Sequence, residues 1–413
     1  MKKLWSKKKV ARMNSTKPLM ENNDYDGPVS ATRQLSQELR PVCSDDTLGS
    51  EQRTQSSKQV SFPELPSDLG KHLDQHLEAV DEIIKNNHVT SGDDFLCQIL
   101  THIDALLQNI TTTKSCVILT NWISQRKDQL DHSELGLLDE RELKTEDKLL
   151  EIVKVEVRDS LRKILDADRT QMDYSEKAYT QLYVDVIQCT NAMPKLVQKR
   201  LLRNKVKKVC FQELQSFVER YKAEQEEILC KKAEAWRGKP ESIHFLKTLR
   251  TCKELRQHIQ AEGSVKAGSV DKTKKILQKL EARTLELIKK IATELAESCL
   301  KDYFRSPSKP SGSFVLRQPG ERHCELFDSL RDQFPKLPYA VDEQMMVMNE
   351  VYKVVADSYL NHLLLKSQLV LKKQWSSDVG KAVKEDADEL HATISDLVSP
   401  PFQDVTADSD VSV

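Results

Sequence analysis

The stretch best suited by residue type to do chemistry is His72-Leu-Asp-Gln-His76, two imidazoles four residues apart. On a helix that spacing puts both rings on one face, the way paired histidines hold zinc. The general-base position of such a motif carries Leu73 in place of glutamate, and no third ligand stands at a matching spacing. The pair therefore reads as two exposed polar helix residues, and no metal site is expected. Phosphate and acyl-transfer chemistry fares no better. The 413 residues include only 11 glycines and carry neither a glycine-rich phosphate loop nor a nucleophile elbow. No catalytic residue and no cofactor is assigned, and the expectation is a protein that is not an enzyme.

Two basic clusters remain. Lys2, Lys3, Lys7, Lys8, Lys9 and Arg12 crowd the first twelve residues around Leu4 and Trp5, with no acid among them. Against an anionic leaflet each basic side chain contributes about 1 kcal/mol, and Leu4 and Trp5 suit the headgroup layer. A nuclear import receptor also reads lysine clusters, and a basic tail without a role is the third reading. Nucleic acid is not an expected partner. Lys+Arg 63 against Asp+Glu 64 gives a net charge of −1, so one short tail offers few phosphate contacts. The second cluster lies in KLVQKRLLRNKVKKVCF, where Lys195, Lys199, Arg200, Arg203, Lys205, Lys207 and Lys208 surround an apolar strip of Leu196, Leu202, Val206 and Val209. A docking patch for an acidic protein or a lipid headgroup competes there with a solvated face balanced by acidic neighbours. The terminal Val411 and Val413 suit a PDZ groove that takes an apolar pair.

The elements that must carry these residues are helical. Charged residues make up 31% of the chain against 38% hydrophobic, with only 14 prolines, which is the composition of amphipathic helices. In KLLEIVKVEVRDSLRKIL, Leu150, Val153, Val157, Leu161 and Ile164 advance by 3, 4, 4 and 3, one stripe of a helix. Ile276, Leu280, Leu287, Ile291 and Leu295 repeat the pattern. So do Val341, Met345, Met348, Tyr352, Val355, Tyr359 and Leu363, and then Val379, Val383, Leu390, Ile394 and Leu397. Pro194 predicts a break or kink between Thr170 and Ala235, and Ser67 or Asp68 is a plausible first N-cap. Such stripes are not stable alone. They predict an all-α fold, an elongated stack of antiparallel helical bundles. Nine scattered cysteines without a C-x-x-C pair suit reduced thiols, and no run approaches the length of a membrane span.

Long segments resemble the exocyst complex component 3 family, above all its shorter members. KLLEIVKVEVRDSLRKIL is similar to the start of that family's helical region, and ELQSFVERYKAEQEEIL to its middle. DQFPKLPYAVDEQMMVMNEVYKVVADSYLNHLLLKSQLVLKKQW with VKEDADELHATISDL is similar to its C-terminal bundle. The resemblance implies a rod of tandem bundles of the tethering-complex (CATCHR) type. It also implies a role in vesicle tethering and exocytosis, and partners among SNARE proteins, exocyst subunits and Ral-type small GTPases. A cytoplasmic protein, peripheral at the plasma membrane and recruited there through anionic phosphoinositides, is the corresponding expectation. The alternative is a cytoskeletal or scaffold bundle that promotes membrane protrusions independently of the exocyst. The expected division is a disordered tail over 1–64, helical bundles over 65–165 and 166–305, and a linker with a short helix over 306–337. A C-terminal bundle over 338–398 and a disordered tail over 399–413 complete it.

Overall fold

The computed structural model describes residues 63–65, 68–87, 93–127, 135–171, 175–237, 242–261, 267–304, 324–374 and 378–399. Among them are twelve α-helices and no strand, so the fold is all-α. The first six are α1 (Leu69–Asn87), α2 (Asp93–Asn109), α3 (Thr113–Lys127), α4 (Leu135–Thr170), α5 (Glu176–Leu196) and α6 (Arg200–Glu234). Then come α7 (Ser242–Ala261), α8 (Ala267–Tyr303), α9 (Glu325–Gln333), α10 (Val341–Leu364), α11 (Gln368–Gln374) and α12 (Val379–Val398).

Local chemistry sets several of these ends. Ser175 caps α5 by accepting from the Ala178 amide at 3.3 Å, and Asp378 caps α12 by accepting from Lys381 at 3.0 Å. At the start of α1 the Asp68 carbonyl accepts from Lys71 and His72. Between α5 and α6 the chain breaks as Pro194 predicts. The proline sits in the last turn of α5, where it has no amide to give the Thr190 carbonyl. Three residues later Val197 is extended, with φ −94° and ψ 121°. Arg203 closes the break from below, donating to the carbonyls of Val197 at 2.7 Å and Gln198 at 3.1 Å. Lys195 and Leu196 thus lie on a different helix from Arg200–Lys208, with Lys199 as the N-cap of α6.

Packing between helices is antiparallel where cross-links reveal it. Along α3 and α4, Ser124 donates to Glu142, the Cys116 thiol to the Thr145 carbonyl, and the Thr113 hydroxyl to Glu156, so one helix rises as the other descends. Arg256 with Glu281 and Gln260 with Lys274 show the same for α7 and α8. Two apolar cores result. One gathers α1–α4 with Val206, Phe217 and Tyr221 of α6, and with Leu277 and Leu280 of α8. The other gathers Leu229 of α6 and Leu287–Leu300 of α8 with α9, α10 and α12. Helices α5, α6, α7 and α8 contribute to both cores.

Buried threonines inside these helices are satisfied locally. Thr120, Thr145, Thr248, Thr273 and Thr284 each donate to the carbonyl four residues back. Trp122 and Trp236 bury their rings and give their indole N–H groups to Asp81 and Glu294, both at 2.8 Å. The eight described cysteines are free, and no described helix is long and apolar enough to cross a membrane.

Candidate interaction surfaces

The basic cluster at the α5–α6 junction is largely occupied by its own fold. Lys199 donates to Glu142 at 2.6 Å and Lys205 to Glu146 at 2.7 Å, both carboxylates coming from α4. Lys127 of α3 reaches Glu142 at 3.3 Å and Ser124 adds a bond of 2.6 Å. Burial alone raises the Glu142 carboxyl, but the Lys199, Ser124 and Lys127 donors outweigh it and hold the group at about 2. These residues border an open polar cleft of about 470 Å³ together with Asn121, Gln125 and Gln198. Arg203 is spent on the junction carbonyls, and Lys207 is half-buried. Lys195, Arg200 and Lys208 face solvent.

The histidine pair separates, and the expectation that both are exposed holds for His72 and fails for His76. His72 is exposed and meets Gln75, whereas His76 is buried and lies 2.8 Å, nitrogen to nitrogen, from His102 of α2, their rings stacked at 5.0 Å. Burial depresses both of the paired imidazoles, and for His102 the neighbouring His76 adds to it. Among the described residues no three His, Cys, Asp or Glu side chains gather as a metal set. His102 has no short-range signal in the sequence, because it stands 26 residues from its partner.

A third surface, at the end of α10, went unmarked by sequence motifs. The expected α10 stripe is only partly core: Met348 and Val355 are buried, while Met345 and Tyr352 are exposed. The buried seam runs instead through Val347, Met348, Val351 and Val355, all within the second core. Tyr352 and Tyr359 of the stripe help line an apolar groove of about 180 Å³ between α10 and α12, where Phe327 of α9 also lies. Tyr352, Val355 and Leu360 line one side, Val383 and Leu390 the other. Within it stands Asp386, 8% exposed. The hydroxyls of Tyr303 and Tyr359 donate to its Oδ2 at 2.8 and 2.5 Å, and among the described residues no donor meets Oδ1 and no cation pairs with it. Burial, then Asp386, drives the Tyr359 phenol far above its ordinary range. Further along the chain Leu364, Leu365 and Leu369 are each more than 80% exposed.

Two signals for this surface were present in the sequence. Three consecutive leucines, 363–365, span about 200° of a helix and cannot all face one core. The α12 stripe of Val379, Val383 and Leu390 has Asp386 at the position where its period calls for an apolar residue. The N-terminal residues Lys2, Lys3, Leu4, Trp5, Lys7, Lys8, Lys9 and Arg12, and the terminal Val411 and Val413, lie outside the described residues. No protein-family model, curated protein or solved structure matches this chain.

Proposed function

We propose that this chain is a non-enzymatic helical-bundle tether of the exocyst component 3 kind, working in exocytosis by holding SNARE proteins, exocyst subunits or a Ral-type small GTPase. The observation that carries this reading is the bare apolar ridge of α10 and α11. Leu364, Leu365 and Leu369 stand in water at 81, 82 and 81% exposure. Each buried leucine is worth about 1.5–3 kcal/mol, so a partner that covers three of them gains much of the energy a stable contact needs. Contiguous apolar surface of this kind marks interaction sites. The resemblance of the same C-terminal segment to exocyst component 3 proteins supplies the class of partner. In this reading the basic N-terminus draws the protein to phosphoinositide-containing membrane.

Affinity purification of the full chain from cells, alongside a Leu364→Asp/Leu365→Asp/Leu369→Asp variant, tests the proposal. Exocyst subunits, SNAREs or Ral-type GTPases are expected with the parent chain and are lost with the variant. Actin-linked repeat proteins in their place, or a partner set indifferent to the three leucines, would overturn it. The membrane part is checked by co-sedimentation with phosphoinositide vesicles. Substituting alanine at Lys2, Lys3, Lys7, Lys8 and Lys9 is expected to release the protein, and equal sedimentation refutes that part.

A further inference from the structure

The α10–α12 groove contains more information about its occupant than the leucines alone. We propose that it receives an amphipathic helix of a partner protein, and that one long cationic side chain of that helix enters the groove to pair with Asp386. This rests on the docking role assigned above to the α10 face and specifies the partner's chemistry.

The first ground is charge. Asp386 is a carboxylate set among Phe327, Val355, Val383 and Leu390, and its two bonds both come from neutral tyrosine hydroxyls to a single oxygen. No described Lys, Arg or His pairs with it, although carboxylates elsewhere in the bundle take such partners, as Glu142 takes Lys199 and Glu281 takes Arg256. A carboxylate in apolar surroundings is costly without a counter-charge, and that deficit is what a cation from outside would remove. The tyrosines fix where the counter-charge must go. With Oδ2 occupied by Tyr303 and Tyr359, Oδ1 is the acceptor left for it.

The second ground is size and shape. A cavity of about 150 Å³ accepts a benzene-sized group, so a groove of about 180 Å³ takes one large side chain rather than a whole peptide. The methylene stem of an arginine or lysine matches apolar walls while its head reaches an acid at the base. The rest of the occupant must lie outside, along the ridge from Tyr352 and Leu360 to Leu364. These residues stand twelve, four and zero positions before the end of α10, within about 120° of the helix surface, which presents one broad face to a second helix. An occupant therefore needs aliphatic residues three or four positions from its cation.

The test uses the full chain and two fluorescein-labelled helical peptides by fluorescence anisotropy. One has leucines on its apolar face with a single arginine at the centre; the other carries neutral citrulline in place of that arginine. Parent protein is expected to bind the arginine peptide at least about tenfold tighter, the lower bound for a hydrogen bond between charged groups. Asp386→Asn keeps the size and can still accept from the tyrosines; it is expected to erase that preference while its melting temperature shows the bundle intact. Leu364→Asp is expected to weaken both peptides. Failure of the arginine peptide to bind, equal binding of the two, or a preference that survives Asp386→Asn overturns the proposal. So does a parent chain that sediments as a dimer which Leu364→Asp dissociates, since the face would then belong to a second copy. If cellular partners depend on the leucines while the peptides are not discriminated, only the cationic anchor fails. If the discrimination holds while the purified partners are unrelated to exocytosis, the groove stands and the tethering assignment falls.

Discussion

Replacing Glu142 with glutamine probes whether the basic cluster at the α5–α6 junction is committed to the fold. The carboxyl is held at about 2 against an ordinary 4.5, a difference of roughly 2.5 pH units. At 1.36 kcal/mol per unit this is about 3.4 kcal/mol of differential stabilisation. Lys199 and Lys127 are 44% and 30% exposed, so water screens the attraction and roughly 2 kcal/mol is the reasonable expectation. Glutamine keeps the volume and an oxygen for Ser124 but removes the charge. The direction with pH follows from the depressed value. The folded form binds its proton less readily than the unfolded chain, so the stabilisation is complete well above pH 4.5 and is lost as pH falls toward 2. Roughly 60% of it is gone by pH 3.

Urea unfolding followed by circular dichroism reads both effects. At pH 7 the Glu142→Gln variant is expected to be less stable by about 2 kcal/mol. The gap should close by more than half at pH 3, where the parent chain has lost most of the same contribution. Equal midpoints at pH 7, or a gap that stays constant down to pH 3, would refute the reasoning. The result bears on function as well. If Lys199 is tied this strongly to Glu142, an acidic partner could recruit it only by breaking the bond, and the docking role of the cluster falls to Lys195, Arg200 and Lys208.

Three further outcomes are expected. Phe217→Ala removes a ring with no exposed surface from the first core and should cost about 3–5 kcal/mol in chemical unfolding. Ser175→Ala deletes the α5 cap and should cost about 1 kcal/mol, whereas Ser175→Gly should cost only a few tenths. Burial depresses His76 and His102 below their ordinary 6.5, so the folded state resists their protonation and stability should fall as pH drops below about 6.5. His102→Gln should make that decline in melting temperature shallower between pH 7 and 5, and an unchanged slope would count against the pair.

Periodicity made the helices legible because a stripe is a local property. Val153, Val157 and Leu161, or Leu280, Leu287 and Ile291, are buried as their spacing requires, and Pro194 marks the α5–α6 break to within a few residues. What lies opposite a stripe is not local. Glu142 and Lys199 are 57 residues apart, and Tyr303 and Asp386 are 83 apart. No spacing rule connects such pairs; only the way α4 meets α6, or α8 meets α12, brings them together. The same limit explains α10. Its pattern specifies an apolar band wide enough for two neighbours, and the fold supplies a complete neighbour on one side only.

Asp386 turns that incomplete side from a packing accident into a selective one. Had α12 carried leucine there, the groove would be uniformly apolar, and any amphipathic helix of suitable size could cover it. With a carboxylate at its base, the outcome depends on what arrives. A helix that offers only aliphatic side chains would shut Oδ1 away from water without a counter-charge, at a cost of several kcal/mol that offsets much of the gain from covering the leucines. A helix that brings a guanidinium or ammonium keeps that gain and adds a charge-assisted bond. The leucines of α10 and α11 therefore provide attraction without discrimination. The discrimination comes from one acid, held in place by two tyrosines, that makes the wrong partner unfavourable.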